Sequence, residues 1–303
     1  MPIAFDSTRR ARPLLGTFVE IEVAAAAGSD AAAAIDAAFD AVAEVHRLMS
    51  FHEHDTDVSR LNREAGIRPT RVHAWTFQVL EAAVEMHRRS RGVFDVTVAP
   101  VLQAMGLLPG LDGAPVIMPE WRVTDPIELS SEQTVRFRSP AIEIDLGGIA
   151  KGFAVDRAIE VLRGFDIPGG LVNAGGDLRV FGQGPHTVHL RDPGDPLRLL
   201  ARIELTDEAL ASTARRFDLV DGAAPGVSAI IDPFTGKPTG AVTGATVRAP
   251  SCMIADALTK VVMISGTGAG DLLAHYGASA LLISVDGEVQ ITSDWPQAVH
   301  LAA

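Results

Sequence analysis

The sequence predicts an α+β fold. Stretches of period-two alternation and stretches of helical spacing both occur, and they follow one another without the regular strand–helix period of a doubly wound sheet. Composition agrees, with 47% hydrophobic and 21% charged residues; aromatics are only 5%, so the core is built largely from Ala, Val, Ile and Leu.

Residues 17–23 alternate, with Phe18, Glu20 and Glu22 on one parity and Val19, Ile21 and Val23 on the other, which reads as a half-exposed strand. Ahead of it, Arg9, Arg10 and Arg12 read as a solvated lead-in. Asp30 is placed to cap a helix in which Ala34, Ala37, Ala38, Ala41, Val42, Val45 and Leu48 recur at helical spacing. A second helix is expected over 74–89, with Phe77, Leu80, Ala83, Val84 and Met86 inward. The polar segment between the two reads as a surface or site-lining loop. Residues 108–119, rich in Pro and Gly, read as an insertion or linker.

Residues 142–146 read as a buried strand ending at Gly147-Gly148, where a helix over 149–163 begins. A strand, a turn at 174–177 and a second strand follow within 170–180. Further strands are expected at 187–190, 199–205, 229–231 and 245–248, helices near 253–264 and 271–276, and a closing hairpin over 281–291 turning at Asp286-Gly287.

At about 150 residues per domain, 303 residues allow two domains or one large one. Lys and Arg number 26 against 38 Asp and Glu, a net charge of −12, so no basic excess is available to displace counterions from nucleic acid or an anionic membrane. The single cysteine, Cys252, excludes an internal disulfide framework and any CxxC zinc arrangement. The longest uncharged run, 96–111, falls short of the roughly 20 residues of a spanning helix and is broken by Pro and Gly. The N-terminal residues show neither an apolar export signal nor a lipid-bearing cysteine, so a cytoplasmic location is expected, or a periplasmic one if an export signal has been removed.

Ten of the 28 glycines lie between Gly147 and Gly184, where bare backbone N–H groups suit tight turns or anion binding. Within that zone DLGGIAKGFAVD (145–156) places a carboxylate, two glycines, a helix start and Lys151 together, which reads as an anion site or as a tight turn with a surface lysine. In ADALTK (255–260), Asp256, Thr259 and Lys260 share one helix face. Such an Asp/Lys pair is either an ordinary ion pair or, for Asp256, a hard-oxygen ligand for Mg²⁺. There is no P-loop, HExxH or GxSxG.

In order along the chain, LLGT (14–17), MSFHEHDTDVSRLN (49–62), GVFDVTVAP (92–100), DLGGIAKGFAVD (145–156), LVNAGGDLRVFG (171–182), LRDP (190–193), IIDPFTGKP (230–238) and ADALTK (255–260) resemble the ApbE family, the FAD:protein FMN transferases. The resemblance implies a T-fold-like α+β architecture, a single domain over 1–303 whose two interleaved lobes enclose one flavin-nucleotide cleft. It also implies a reaction in which FAD is cleaved, AMP is released and FMN is attached through its phosphate to a Thr or Ser hydroxyl of an acceptor protein. Carried over by position, Leu15, His52, Phe94, Asp95, Asp145, Lys151 and Ile231 line the FAD site, while Gly148 and Asp256 hold Mg²⁺. Asp145 and Asp232 are the general-base candidates.

The chain departs from the family pattern at several of these positions. Leu15 and His52 replace the common Met and Tyr, Thr213-Ala214-Arg215 replaces a Thr-Ser-Gly block, and Ala229 replaces a histidine. Lys260 stands where a metal-ligating Thr is expected, and an ammonium ligates no cation. Two expectations follow: either Thr259 ligates in its place, or Lys260 itself neutralises the FAD diphosphate. An impaired FAD-binding protein and an FAD pyrophosphatase giving AMP and FMN are the alternative readings.

Overall fold

The structure, a computed structural model, describes residues 6–25, 30–110, 125–165, 167–182, 184–195, 197–214, 228–240, 242–295 and 300–301. The chain opens with a hairpin of β1 (Asp6–Leu14) and β2 (Thr17–Ala25), then α1 (Ala31–Met49), α2 (Asp57–Glu64), β3 (Thr70–Arg71), α3 (Ala74–Arg89) and α4 (Ala99–Ala104). A hairpin of β4 (Ile127–Ser130) and β5 (Thr134–Phe137) precedes α5 (Ala150–Arg163). The strands β6 (Gly169–Ala174), β7 (Asp177–Gly182), β8 (His186–Arg191), β9 (Leu199–Leu205) and β10 (Ala209–Ala214) come next, then the two-residue strands β11 (Ile231–Asp232) and β12 (Lys237–Pro238). The chain continues with β13 (Val242–Ala249), α6 (Cys252–Ser265), α7 (Gly270–His275), β14 (Ser279–Ser284), β15 (Val289–Ile291) and β16 (His300–Leu301).

Eight strands form one sheet in the order β1-β2-β6-β7-β10-β13-β14-β15, antiparallel at every pairing. α1, α5 and α6 pack side by side over one face, where the core gathers Val19, Ile21, Ile35, Phe39, Phe153, Ile159, Leu258 and Val262. The opposite face, through Leu178, Val180, Leu210, Leu281 and Ile283, packs against the small sheet β16-β9-β8. An α+β fold with alternate strand residues buried on different faces is therefore what the sequence patterning describes.

Most expected elements stand. Asp30 caps α1 by accepting from the Ala33 amide at 3.0 Å, and α3 occupies the expected 74–89. At 175–176 both glycines have positive φ, +64° and +101°, as a two-residue hairpin turn requires.

Four readings change. The arginine cluster is an edge strand, not a lead-in, anchored by ion pairs from Arg9 to Glu20 and from Arg10 and Arg12 to Asp36. The polar segment before α3 contains α2: Thr56 accepts from the Ser59 amide at 3.0 Å as its N-cap, and Val58, Leu61 and Ala65 are buried at helical spacing. Residues 142–146 are buried at alternate positions but join no sheet, because the Asn62 side chain satisfies the Ile144 backbone instead, donating to its carbonyl at 3.0 Å and accepting from its amide at 2.8 Å. β10 runs through 209–214, where no strand is expected. Most of the expected insertion at 108–119 lies outside the described residues.

The helical run 252–275 is long and apolar enough, by length and composition alone, to cross a membrane. It is broken at Gly266, with φ +56°, and its Ala255, Leu258 and Val262 are buried against the sheet and α5, as in a core helix.

Candidate functional site

A cleft of about 1350 Å³ opens between the loops around β2 and α1, the N-terminus of α5, and the sheet face carrying Asn173, Ser212 and Thr246. Leu15, His52, Phe94, Asp95, Asp145, Gly148, Lys151, Ile231 and Lys260 all line it, so residues from Leu15 to Lys260 meet at one place. Leu15 and Gly16 make the β1–β2 turn, and Leu15 is held at φ +57°, a costly conformation for a residue with a Cβ. Asp95 accepts from the amide and hydroxyl of Thr97 at 2.8 and 2.7 Å, so its carboxylate also caps the short 3₁₀ turn 96–98.

The floor is built by α5 and α6. Asp156 on α5 accepts from the Cys252 and Met253 amides at 2.9 Å each, capping α6 from a neighbouring helix, and from Arg179 at 2.6 Å. The two helices touch at Gly152, where a Cβ would lie 2.2 Å from the Cys252 carbonyl oxygen. This contact sets Asp256 beneath the first turn of α5, and one of its oxygens accepts from the Gly152 amide at 3.1 Å.

Two lysines close the floor, each on a carboxylate. Lys151 donates to Asp177 and Lys260 to Asp256, with Asp177 1% and Asp256 0% exposed. Lys260 also reaches the Thr213 hydroxyl at 3.4 Å. Burial opposes the Lys151 charge, but Asp177 and Asp256 outweigh it and raise its pKa. Burial likewise opposes ionisation of Asp256, which Lys151 and Lys260 overcome, so its pKa is lowered. Asp145 is the reverse: burial raises its pKa, and the Gly147 amide, His52 and Lys260 offset this only in part.

Asp232 and Thr259 are not among the cleft-lining residues. Asp232 spends its oxygens on its own turn, accepting from the Phe234 amide at 2.8 Å and the Thr235 hydroxyl at 3.0 Å. Thr259, 0% exposed, donates to the Asp256 carbonyl at 2.7 Å and pairs with the Thr213 hydroxyl at 2.9 Å. Ala214 and Ala229 line the cleft, and Arg215 lies outside the described residues.

The donor set implied for Mg²⁺ does not suit it. A hard dication needs free oxygens around it, yet one Asp256 oxygen takes the Gly152 amide, the other takes Lys260, and the Thr259 hydroxyl is turned away. A dication about 4 Å from the Lys260 ammonium would be repelled by about 8 kcal/mol at an effective dielectric near 20. Among the described residues no three His, Cys, Asp or Glu side chains gather around a metal position.

Sequence reasoning missed Asp177 and Thr213 as site residues. Asp177 lies 26 positions from Lys151 and Thr213 lies 47 from Lys260, and no local pattern reports such pairings.

The ApbE family model matches residues 15–282. The chain is 30% identical over 258 residues to the FAD:protein FMN transferase of Vibrio cholerae, covering 80% of this chain and 76% of that one. It resembles solved structures that include the ApbE protein of Thermotoga maritima, with TM-score 0.83, 25% identity and 95% and 97% of the two chains covered, and the flavin transferase ApbE of V. cholerae, with TM-score 0.82, 26% identity and 96% and 99% covered. With the matched region running from the β1–β2 turn that lines the cleft through both floor helices, the chain belongs to the ApbE family.

Proposed function

We propose that this protein is a flavin transferase that cleaves FAD, releases AMP and attaches FMN through its phosphate to a Thr or Ser hydroxyl of an acceptor protein. The observation that carries this reading is the cleft: its volume, about 1350 Å³, exceeds the roughly 300–1,000 Å³ of ordinary small-molecule pockets, and both its lysines sit at the N-terminus of α5. The space suits a dinucleotide together with an acceptor segment. The family's FAD:protein FMN transferases supply the activity, and the site residues drawn from the whole chain support one working unit.

In this reading Leu15, His52, Phe94 and Ile231 flank the flavin nucleotide, Asp95 holds its own loop against it, and Lys151 faces the diphosphate. The acceptor oxygen attacks the FMN-side phosphorus, the diphosphate P–O bond breaks, and AMP leaves. Lysine ammonium groups fixed in place stabilise the charge of that displacement without reorganising. Asp145 faces the cleft with a carboxyl shifted upward by burial, so it is the better of the two aspartates to accept the hydroxyl proton. Asp232 is given no such role. Mg²⁺ on Gly148, Asp256 and Thr259 is not adopted, for want of free oxygens there.

The test is incubation with FAD, with and without a Thr-containing acceptor peptide, following AMP and covalent flavin. Flavin on the peptide with stoichiometric AMP is the expected result. AMP with free FMN would make the protein a pyrophosphatase, and intact bound FAD would make it a binding protein.

A further inference from the structure

We propose that the Lys260 ammonium takes the place of a divalent ion at the FAD diphosphate of this chain. The inference rests on the flavin-nucleotide reading above.

An ammonium has three N–H donors. Lys260 points one at Asp256 and one at the Thr213 hydroxyl, 3.4 Å away, which leaves the third for a ligand, and its side chain, 14% exposed, lines the cleft. Its stem lies along the start of α5: a Cβ on Gly148 would be 3.5 Å from Lys260 Cε. The ammonium is thus held beside the helix N-terminus, which itself favours an anion. Ile149, at the N-cap of α5, has no side chain to cap that end, and Asp256 takes only the Gly152 amide.

Asp256 is the carboxylate that fixes this position, and it is 0% exposed and absent from the cleft surface. An ion arriving from the cleft meets Lys260 before it meets Asp256. Lys151, in the first turn of α5 itself and held by Asp177, repeats the arrangement. Each lysine is neutralised by a buried carboxylate, and each keeps donors for phosphate oxygens when FAD enters.

The experiment measures FAD affinity of the full chain by flavin fluorescence, in excess EDTA and then in excess Mg²⁺. Mn²⁺ binding without nucleotide is measured in parallel by electron paramagnetic resonance. Wild-type affinity is expected to agree within twofold between EDTA and Mg²⁺, with no stoichiometric Mn²⁺ bound. Lys260→Ala should weaken FAD binding tenfold or more in both conditions, and Lys260→Met, of similar volume, should do the same if the alanine variant fails to fold. Lys260→Thr frees Asp256 and sets a neutral oxygen beside it, so its FAD affinity should become at least tenfold Mg²⁺-dependent and it should bind Mn²⁺. Wild-type FAD binding that falls tenfold in EDTA and returns with Mg²⁺ would overturn the proposal while leaving the flavin reading intact. So would unchanged affinity in both neutral variants. Failure of wild type to bind FAD in any condition would refute the flavin reading and the proposal with it.

Discussion

Gly152→Ala tests the contact on which the site floor depends. A Cβ there would lie 2.2 Å from the Cys252 carbonyl oxygen, 2.6 Å from its carbonyl carbon and 2.8 Å from Asp256 Cβ. These are backbone and helix-anchored atoms, so α5 and α6 must separate by about 1 Å to reach ordinary contact distance. Overpacking of this kind costs about 3 kcal/mol, and the better helix propensity of alanine returns about 1 kcal/mol. The net loss is about 2 kcal/mol. With an unfolding entropy of roughly 2.1 cal/mol/K per residue and 303 residues, the melting temperature should fall by about 3 °C. Separation also stretches the Gly152–Asp256 hydrogen bond, so FAD affinity should fall with stability. The control is Gly270→Ala at the start of α7, where φ is −52° and a Cβ meets nothing within 4 Å. That change should leave FAD affinity unaltered and stabilise by about 0.5 kcal/mol. Calorimetry and flavin fluorescence read both quantities. A Gly152→Ala protein that melts at or above wild type and binds FAD equally would refute the close approach of the two helices.

Asn62→Ala removes both bonds to the Ile144 backbone and should cost about 2 kcal/mol, read from urea unfolding, while displacing Asp145 next door. Lys151→Ala leaves Asp177 buried without its cation; because Lys151 is itself a third exposed, the loss should be about 2 kcal/mol, less than for a fully buried pair. Adding Asp177→Asn should restore the stability but not the FAD affinity, which separates structural from binding roles in one series. Glu143 has one buried carboxylate oxygen without a partner, and burial raises its pKa above the ordinary range despite a Gln103 hydrogen bond. A raised folded pKa favours the folded state at low pH, and that contribution is lost as pH rises from the ordinary glutamate pKa through the folded one. Glu143→Gln should therefore lose less stability than wild type over that rise and be the more stable of the two at pH 7, measured by melting temperature against pH.

Local patterns were readable where local physics decides them. Asp30 capping α1, the 74–89 helix and the Gly175-Gly176 turn depend on neighbours within a few residues, and each was legible. The cleft residues quoted for the family resemblance also came together, from Leu15 to Lys260. What failed was decided at a distance. The 142–146 segment alternates like a strand, but its backbone partner is a side chain 82 positions away. β1 carries arginines because it is a sheet edge beside Glu20 and Asp36, and charge at an edge guards against further pairing. The i, i+4 spacing puts Asp256 and Lys260 on one face, yet spacing alone describes a surface pair as well as a buried one. Only the approach of α5 at Gly152 makes this pair the buried one.

That burial changes what the chain's acidity means. With net charge −12, a diphosphate is repelled by the protein as a whole, so the site must supply local positive charge. A lysine in water would do so at the expense of side-chain order on binding. Here the order is established during folding: Asp177 and Asp256 are desolvated by the sheet and by α5, and each fixes one ammonium at the cleft wall before the ligand arrives. Removing a lysine strands a buried carboxylate, and removing a carboxylate frees a lysine to wander. The acidic residues at this floor are therefore part of the anion site, and their deletion should weaken FAD binding even though it makes the protein less negative.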